Sequence, residues 1–425
     1  MTSIKQIQIT IILLTAAILL VGLKNTQAQI PVPPQKGSLV IQASYIHTQS
    51  NGIIENGMLL IENGIITAIG NDIEVPEDAL VENYEGKHIY PAFIHARNLL
   101  GISEIGAVPV TSDFNELGDI NPNVRAEVAF HPESSHIGVA AAHGIAISVS
   151  TPSGGLISGL SAAMYTEGWN RDDMTMKAPL GLNMNWPNMI NNKNLQKQLN
   201  ELQEAFDNAR RYHHARSANT AHPADVRWEA MRPVFDKELP VFIHASEISQ
   251  IQSAISWAEK EGLKMILTGG RDAAYLARQL AEKDIPVLLT PVIGGPARQW
   301  EHYGKSYETA ARLHEAGVEF AIAGDFGAAS AYRLPLHAAA AVAYGLPEEE
   351  ALRAITLYPA QLMGIDDRAG SIEAGKEAHL MVTNGNPLEF STQTEQVYIL
   401  GRKIDMRSKH IQLQEKYQEK QKQAR

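Results

Sequence analysis

The sequence predicts an α/β protein in which βα units surround a parallel sheet and short β segments flank that middle at both ends. Three observations carry the prediction. Apolar runs of strand length recur through the centre of the chain, at 88–90, 145–149, 241–243, 265–267, 287–289 and 320–323. Helical runs at 250–261, 272–283 and 306–316 separate several of them, and strands alternating with helices imply a parallel sheet. Ahead of this region, β-type runs at 39–43, 57–61 and 65–69 are punctuated by Asn51-Gly52, Asn56-Gly57 and Asn63-Gly64, which predicts a small antiparallel sheet. Past Asp366, short strands return at 378–382 and 396–400.

Taken in order, the chain begins with Lys5, an apolar run over 9–23, and then Thr26-Gln27-Ala28. A basic start, a short apolar centre and small residues at the exit describe a secretory leader cleaved after Ala28. The run is shorter than the roughly 20 apolar residues that span a bilayer, so the mature chain is expected to be exported, most simply to a periplasm, without a membrane anchor. A proline-rich linker, 29–37, follows. The tail, 406–425, is polar all round and predicts a solvated helix.

Composition narrows the chemistry. The 425 residues exceed the size at which one hydrophobic core stops growing, so two structural units are expected. With 36 Lys plus Arg against 47 Asp plus Glu, the net charge of −11 argues against nucleic acid or anionic lipid as a partner. The chain has no cysteine, which excludes disulfides, thiolate metal sites, a cysteine nucleophile and lipoprotein anchoring. Histidine, carboxylates, lysine, serine and tyrosine remain.

Several stretches carry a resemblance: 65–70 (IITAIG), 86–94 (GKHIYPAFI), Arg353-Ala354-Ile355-Thr356 with Pro359-Ala360 and Gly364-Ile365, and above all 370–380 (GSIEAGKEAHL). Together, over about 37–405, they resemble the amidohydrolase superfamily, in particular its exported imidazolonepropionase-like branch. The resemblance implies a (β/α)8 TIM-like barrel over 91–366 and a composite β-sandwich from 38–90 and 367–405. It also implies hydrolysis of non-peptide C–N bonds in small cyclic amides or amino-acid derivatives. One or two divalent metals, zinc above all, would sit at the C-terminal mouth of the barrel. There a His-x-His pair ends strand one, further histidines end strands five and six, and an aspartate ends strand eight. Imidazole and carboxylate suit zinc, which lowers the pKa of bound water to about 7.

The pattern breaks at strand one. Where the family has Asp-x-His-x-His, this chain has His95-Ala96-Arg97-Asn98-Leu99. Guanidinium has no free lone pair and leucine no donor atom, so neither substitute ligates a metal. Strand six, Leu267-Thr268-Gly269-Gly270, also lacks histidine. His244 matches the strand-five ligand and Asp325 the strand-eight acid. His95 is the third metal candidate, because positions 95 and 97 share the inward face of a strand. Arg97 cannot be buried unpaired without cost, so it is expected to occupy the vacated metal position and pair with Asp325, or else with Glu247 or Glu104. His244, Asp325 and Arg97 are the candidate catalytic groups.

Gly154 and Gly155, in a Gly-rich turn, and Asn183 and Asn185, on one face of a strand end, are the candidate substrate-binding residues. The turn reads equally as structure. Lys177 precedes the strand end where a carbamylated lysine would sit, His213-His214 lies in a charged helix, and His143 reads as a helix end. Two functions from different classes follow: an amidohydrolase with a reduced or rearranged metal site, and a catalytically silent relative that binds a ligand or partners an active paralogue. A third has Arg97 as electrophile and His244 or Asp325 as base, with no metal. The partners expected are a small molecule, and a second copy or a paralogue.

Overall fold

The computed structural model describes residues 30–423, and the leader expected at 1–28 lies outside them. The described residues from Val32 onward form one compact unit. Its strands are β1 (Ser38–His47), β2 (Ile53–Glu62), β3 (Ile65–Gly70), β4 (Leu80–Pro91), β5 (Phe93–Asn98), β6 (Ile145–Ser150), β7 (Ile157–Tyr165) and β8 (Thr175–Asn185). They continue as β9 (Val241–Ala245), β10 (Met265–Gly269), β11 (Val287–Leu289), β12 (Phe320–Ile322), β13 (Leu380–Thr383), β14 (Thr394–Ile399) and β15 (Arg402–Lys403).

Seven of these form one sheet in the order β15-β14-β13-β4-β1-β2-β3, so both chain ends contribute to it. The antiparallel β1-β2-β3 meander is the small sheet that the Asn-Gly turns predict. Asn63 and Gly64 both take positive φ, 52° and 80°, as a tight hairpin between β2 and β3 requires. Gly64 has a second reason to lack a side chain: a Cβ there would fall 2.8 Å from the Leu400 carbonyl oxygen. Ala378 N–H donates to the Gly64 carbonyl at 2.8 Å, so N- and C-terminal segments meet at this turn. The alternating inward residues of the strands, among them Ile41, Leu59, Ile61, Ile89, Leu380 and Tyr398, make a separate core.

The second sheet runs β5 to β12 in chain order and curls into a barrel around the larger core. Leu99 N–H donates to the Phe326 carbonyl and Ile94 N–H to the Ile355 carbonyl, both at 2.9 Å, so the β12 side returns to β5. The fold is a TIM-like barrel with a separate β domain. It departs from strict (β/α)8 alternation at β7, which is antiparallel to both β6 and β8. Connection length explains this. Residues 151–156 alone join β6 to β7, and the short helix Arg171–Met174 lies between β7 and β8. A parallel return needs a crossover of a dozen or more residues. Sequence patterning gave no strand here, because β7 (ISGLSAAMY) is rich in small residues and buried along its whole length, so it shows no alternation.

The helices Leu195–Ala218, Ile248–Glu261, Lys305–Glu315 and Leu334–Ala343 surround the barrel, and Lys409–Gln423 buries no residue, as the polar tail predicts. Among the described residues, no helix is long and apolar enough to cross a membrane.

A buried polar cluster ties the two sheets. Tyr165, at the end of β7, donates to Glu377 at 2.8 Å, Arg368 reaches the same carboxylate at 2.6 Å, and the His379 ring lies 2.8 Å from it. Burial raises the Glu377 pKa, but the His379 hydrogen bond and charge, with Tyr165 and Arg368, outweigh it and hold the group at about 2 instead of its ordinary 4.5. A depressed pKa gives stability that is complete above pH 4.5 and lost as pH falls toward 2. Glu377→Gln should therefore cost about 2 kcal/mol near neutrality. Denaturant titrations at stepped pH should show the variant and wild type converging in acid, and a constant gap would remove Glu377 from this role.

Candidate functional site

The C-terminal ends of the parallel barrel strands open on one face, and β5 supplies the first polar groups there. His95 is fully buried opposite Ser148 of β6, and neither ring nitrogen has a hydrogen-bond partner. Burial, then the nearby His337, lowers its pKa to about 3; the Asp325 and His95 carbonyls oppose this weakly, at poor hydrogen-bond geometry. His95 is therefore a neutral imidazole. Two residues on, Arg97 is 8% exposed. Its guanidinium carbon lies 4.0 Å from the centroid of the Phe326 ring. Burial lowers its pKa to about 10, which leaves it a cation at neutral pH. Asn98 then turns the chain, donating to Ser148 Oγ at 2.8 Å and accepting from Leu100 N–H at 2.6 Å.

His244 ends β9 with Nδ1 3.5 Å from Thr268 Oγ1. Gly269, at φ 91°, makes room for it, since a Cβ there would fall 2.7 Å from His244 Cε1. Burial, with the Arg97 charge in addition, lowers the His244 pKa to about 4.

The expected Arg97–Asp325 pair is not formed. Asp325 instead lies 3.2 Å from Arg333 and 3.4 Å from His337 Nε2. Arg333 sits in the turn just after Asp325 and is 40% exposed, so it pairs with the acid at a smaller desolvation cost than Arg97 would. The two alternative acids are also engaged elsewhere. Glu247 bonds Arg271 at 3.0 Å and caps the helix Ile248–Glu261, while Glu104 accepts from Ser134 and Ser135. Among the described residues no hydrogen bond or ion pair engages the Arg97 side chain.

The divalent metal that the resemblance implies does not fit this donor set. His95, His244 and Asp325 do not converge, and among the described residues no group of three or more His, Asp or Glu side chains is placed to hold an ion. A permanent cation beside His244 adds repulsion to any second positive charge there.

Asn183 and Asn185 share one face of β8, as their spacing predicts, but their amides face inward to the chain. Asn185 Nδ2 donates to the Gly155 carbonyl at 2.9 Å and Asn183 Nδ2 to the Gly159 carbonyl at 3.1 Å. The Gly-rich turn is in turn packed on the preceding loop: Leu156 N–H donates to the Asp119 carbonyl at 2.7 Å, and a Cβ at Gly155 would fall 2.9 Å from that oxygen. Gly154 accepts from Ser158 Oγ at 2.7 Å, so all four residues are held by hydrogen bonds or packing within this part of the chain. Lys177 is at the other end of β8, with Nζ 2.8 Å from the Gly364 carbonyl at a helix end.

Two features escaped the sequence reading. His337, fully buried on Leu334–Ala343, accepts from Ile293 N–H at Nδ1 (3.3 Å), an arrangement that assigns the proton to Nε2, facing Asp325. A lone histidine in an otherwise apolar helix was its available signal. Asp272, also fully buried, binds Arg298 at 2.7 Å and Lys305 at 2.5 Å, fastening the loop after β11 to the end of β10. A mostly apolar cavity of about 490 Å³ is lined by Leu99 and Gly327, chain neighbours of Arg97 and Phe326, and by Glu104, Phe114 and Ala328 among others.

A barrel of this build, with a sheet drawn from both chain ends, is the architecture found among amidohydrolases. Residues 229–407 match the amidohydrolase family. The chain is 23% identical over 389 residues to the amidohydrolase tasK of Hapsidospora irregularis, covering 81% of this chain and 39% of that protein. It is 30% identical over 168 residues to the imidazolonepropionase of Verminephrobacter eiseniae, covering 39% of this chain and 34% of that protein. The chain thus spans less than half the length of either curated relative. An amidohydrolase from Thermotoga maritima superposes with a TM-score of 0.78 at 26% identity, over 86% of this chain and 99% of that one. These matches support its placement in the amidohydrolase superfamily.

A buried cation without a counter-charge costs stability. Replacing Arg97 by methionine should relieve that cost and lose the ring stacking, for a net gain of about 1 kcal/mol. Chemical denaturation checks this; a loss of more than about 2 kcal/mol would mean that Arg97 is paired in solution.

Proposed function

We propose that this protein is a ligand-binding member of the superfamily, silent in metal-dependent C–N hydrolysis. One observation supports this above others: strand one presents a guanidinium where the superfamily's metal pair belongs, with no ligand set assembled around it. The same barrel retains what recognition needs, namely a Gly-rich turn bonded to the end of β8, neutral buried imidazoles and a mostly apolar cavity. The leader-like sequence at 1–28 supports export to a periplasm, and the acidic composition supports a small molecule or another copy or paralogue, not nucleic acid, as partner.

A second reading is favoured by the Asp325–His337 pair, whose Oδ2 and Nε2 lie 3.4 Å apart with neither atom in a hydrogen bond, and with Arg333 3.2 Å from the same Oδ2. On that reading Asp325 takes the proton of an attacking water and Arg97 polarises the carbonyl of a cyclic amide or amino-acid derivative.

Elemental analysis of wild type and Asp325→Asn after dialysis against zinc separates the readings. The proposal expects below about 0.1 equivalent of zinc, manganese or iron in both proteins, and no turnover of cyclic amides or acyl dipeptides. Near-stoichiometric metal lost in Asp325→Asn would overturn it. Turnover that survives chelation and disappears in Asp325→Asn would establish the second reading.

A further inference from the structure

We infer that Arg97 is the recognition group for a small organic carboxylate with an apolar body, held at the barrel mouth; the inference rests on the ligand-binding reading above. Arg97 is 8% exposed as a residue, and among the described residues its guanidinium has no acid and no carbonyl as partner. The three acids expected as its partners are engaged elsewhere: Asp325 with Arg333, Glu247 with Arg271, and Glu104 with two serines. Phe326 covers one face of the guanidinium at 4.0 Å. Stacking of this kind leaves the edge of the fork, with its parallel N–H donors, for a planar two-oxygen acceptor.

The surroundings select further. Arg333, the other guanidinium of the mouth, is already paired with Asp325 at 3.2 Å, which leaves the Arg97 charge without a counter-charge. A single carboxylate would supply the counter-charge that Arg97 lacks. The cavity of about 490 Å³ is lined by Leu99 and Gly327, close chain neighbours of Arg97 and Phe326. Its lining is mostly apolar, with Phe114 and Ala328 in it; the one acid there, Glu104, is bound by Ser134 and Ser135. A branched aliphatic acyl-amino acid has the right combination of charge and body.

Isothermal titration of the chelator-treated, full-length mature protein with N-acetyl-L-leucine, N-acetyl-L-leucinamide and inorganic phosphate tests this. Saturable one-to-one binding of the acid is expected, with the amide and phosphate each at least about tenfold weaker. Arg97→Met should abolish acid binding, and Arg97→Lys should weaken it by about tenfold, since an ammonium cannot offer the fork. Circular dichroism and a cooperative melt confirm that each variant is folded. Equal binding of acid and amide, unchanged binding in Arg97→Met, or no binding of the acid at 10 mM or so would overturn the inference. Acid binding seen only before chelation would instead overturn the metal-free reading on which it rests.

Discussion

The continuity of β4 into β5 is the constraint on which the rest of the molecule depends. β4 is paired on both sides, parallel to β1 and antiparallel to β13, and only Ala92 separates it from the first barrel strand. Ala92 N–H donates to the His379 carbonyl at 2.9 Å and Phe93 N–H to the Gly144 carbonyl at 2.7 Å, so the junction itself is pinned. A slip of one residue would exchange inward and outward side chains along the strand. The β domain fixes where β5 enters the barrel, and two register shifts against β6, between Phe93 and Ile94 and between His95 and Asn98, adjust the strand beyond it. The 370–380 block, far from the mouth in sequence, therefore acts on it through Glu377, His379 and β13.

With Arg97 committed inward, magnitudes decide what the mouth can be. An ion pair near 4 Å at an effective dielectric of 20 is worth about 4 kcal/mol, whereas stacking on an aromatic face supplies about 0.5 to 2. Phe326 cannot replace a counter-ion. The fold lowers the cost in a second way, by keeping the imidazoles uncharged: burial holds His95 and His244 neutral, and Arg97 itself adds to the effect on His244. Asp325 is the acid that could have neutralised the guanidinium, and Arg333 holds it instead.

Much of this was legible in the sequence, and the exceptions have physical causes. Asn-Gly turns marked the β meander, and alternation of apolar runs with helical ones marked the parallel strands, because both signals are local. The inward direction of Arg97 followed from its spacing to His95, which depends only on strand geometry. The partner of Arg97 did not follow, since whether Arg97 or Arg333 reaches Asp325 is settled by side-chain conformation and relative desolvation. β7 left no trace because a strand buried on both faces and built of small residues has no period. His337 stayed hidden because its meaning arises only when Leu334–Ala343 packs against the loop that carries Asp325.

The barrel seam links these points. Among the described residues no strand ladder joins β12 to β5, and single hydrogen bonds such as Leu99 N–H to the Phe326 carbonyl close that side. The bond that closes the mouth end of the seam thus also fixes the backbone of Phe326, and the Phe326 ring orients the plane of the Arg97 guanidinium. A ligand that binds the fork of Arg97 adds a contact at the point where the barrel is least hydrogen-bonded. Recognition and closure then share the same three residues, Arg97, Leu99 and Phe326. This gives a physical reason for the mouth to tolerate a charge that the empty protein leaves without a counter-ion: its cost falls on the free state, and its relief on the bound one.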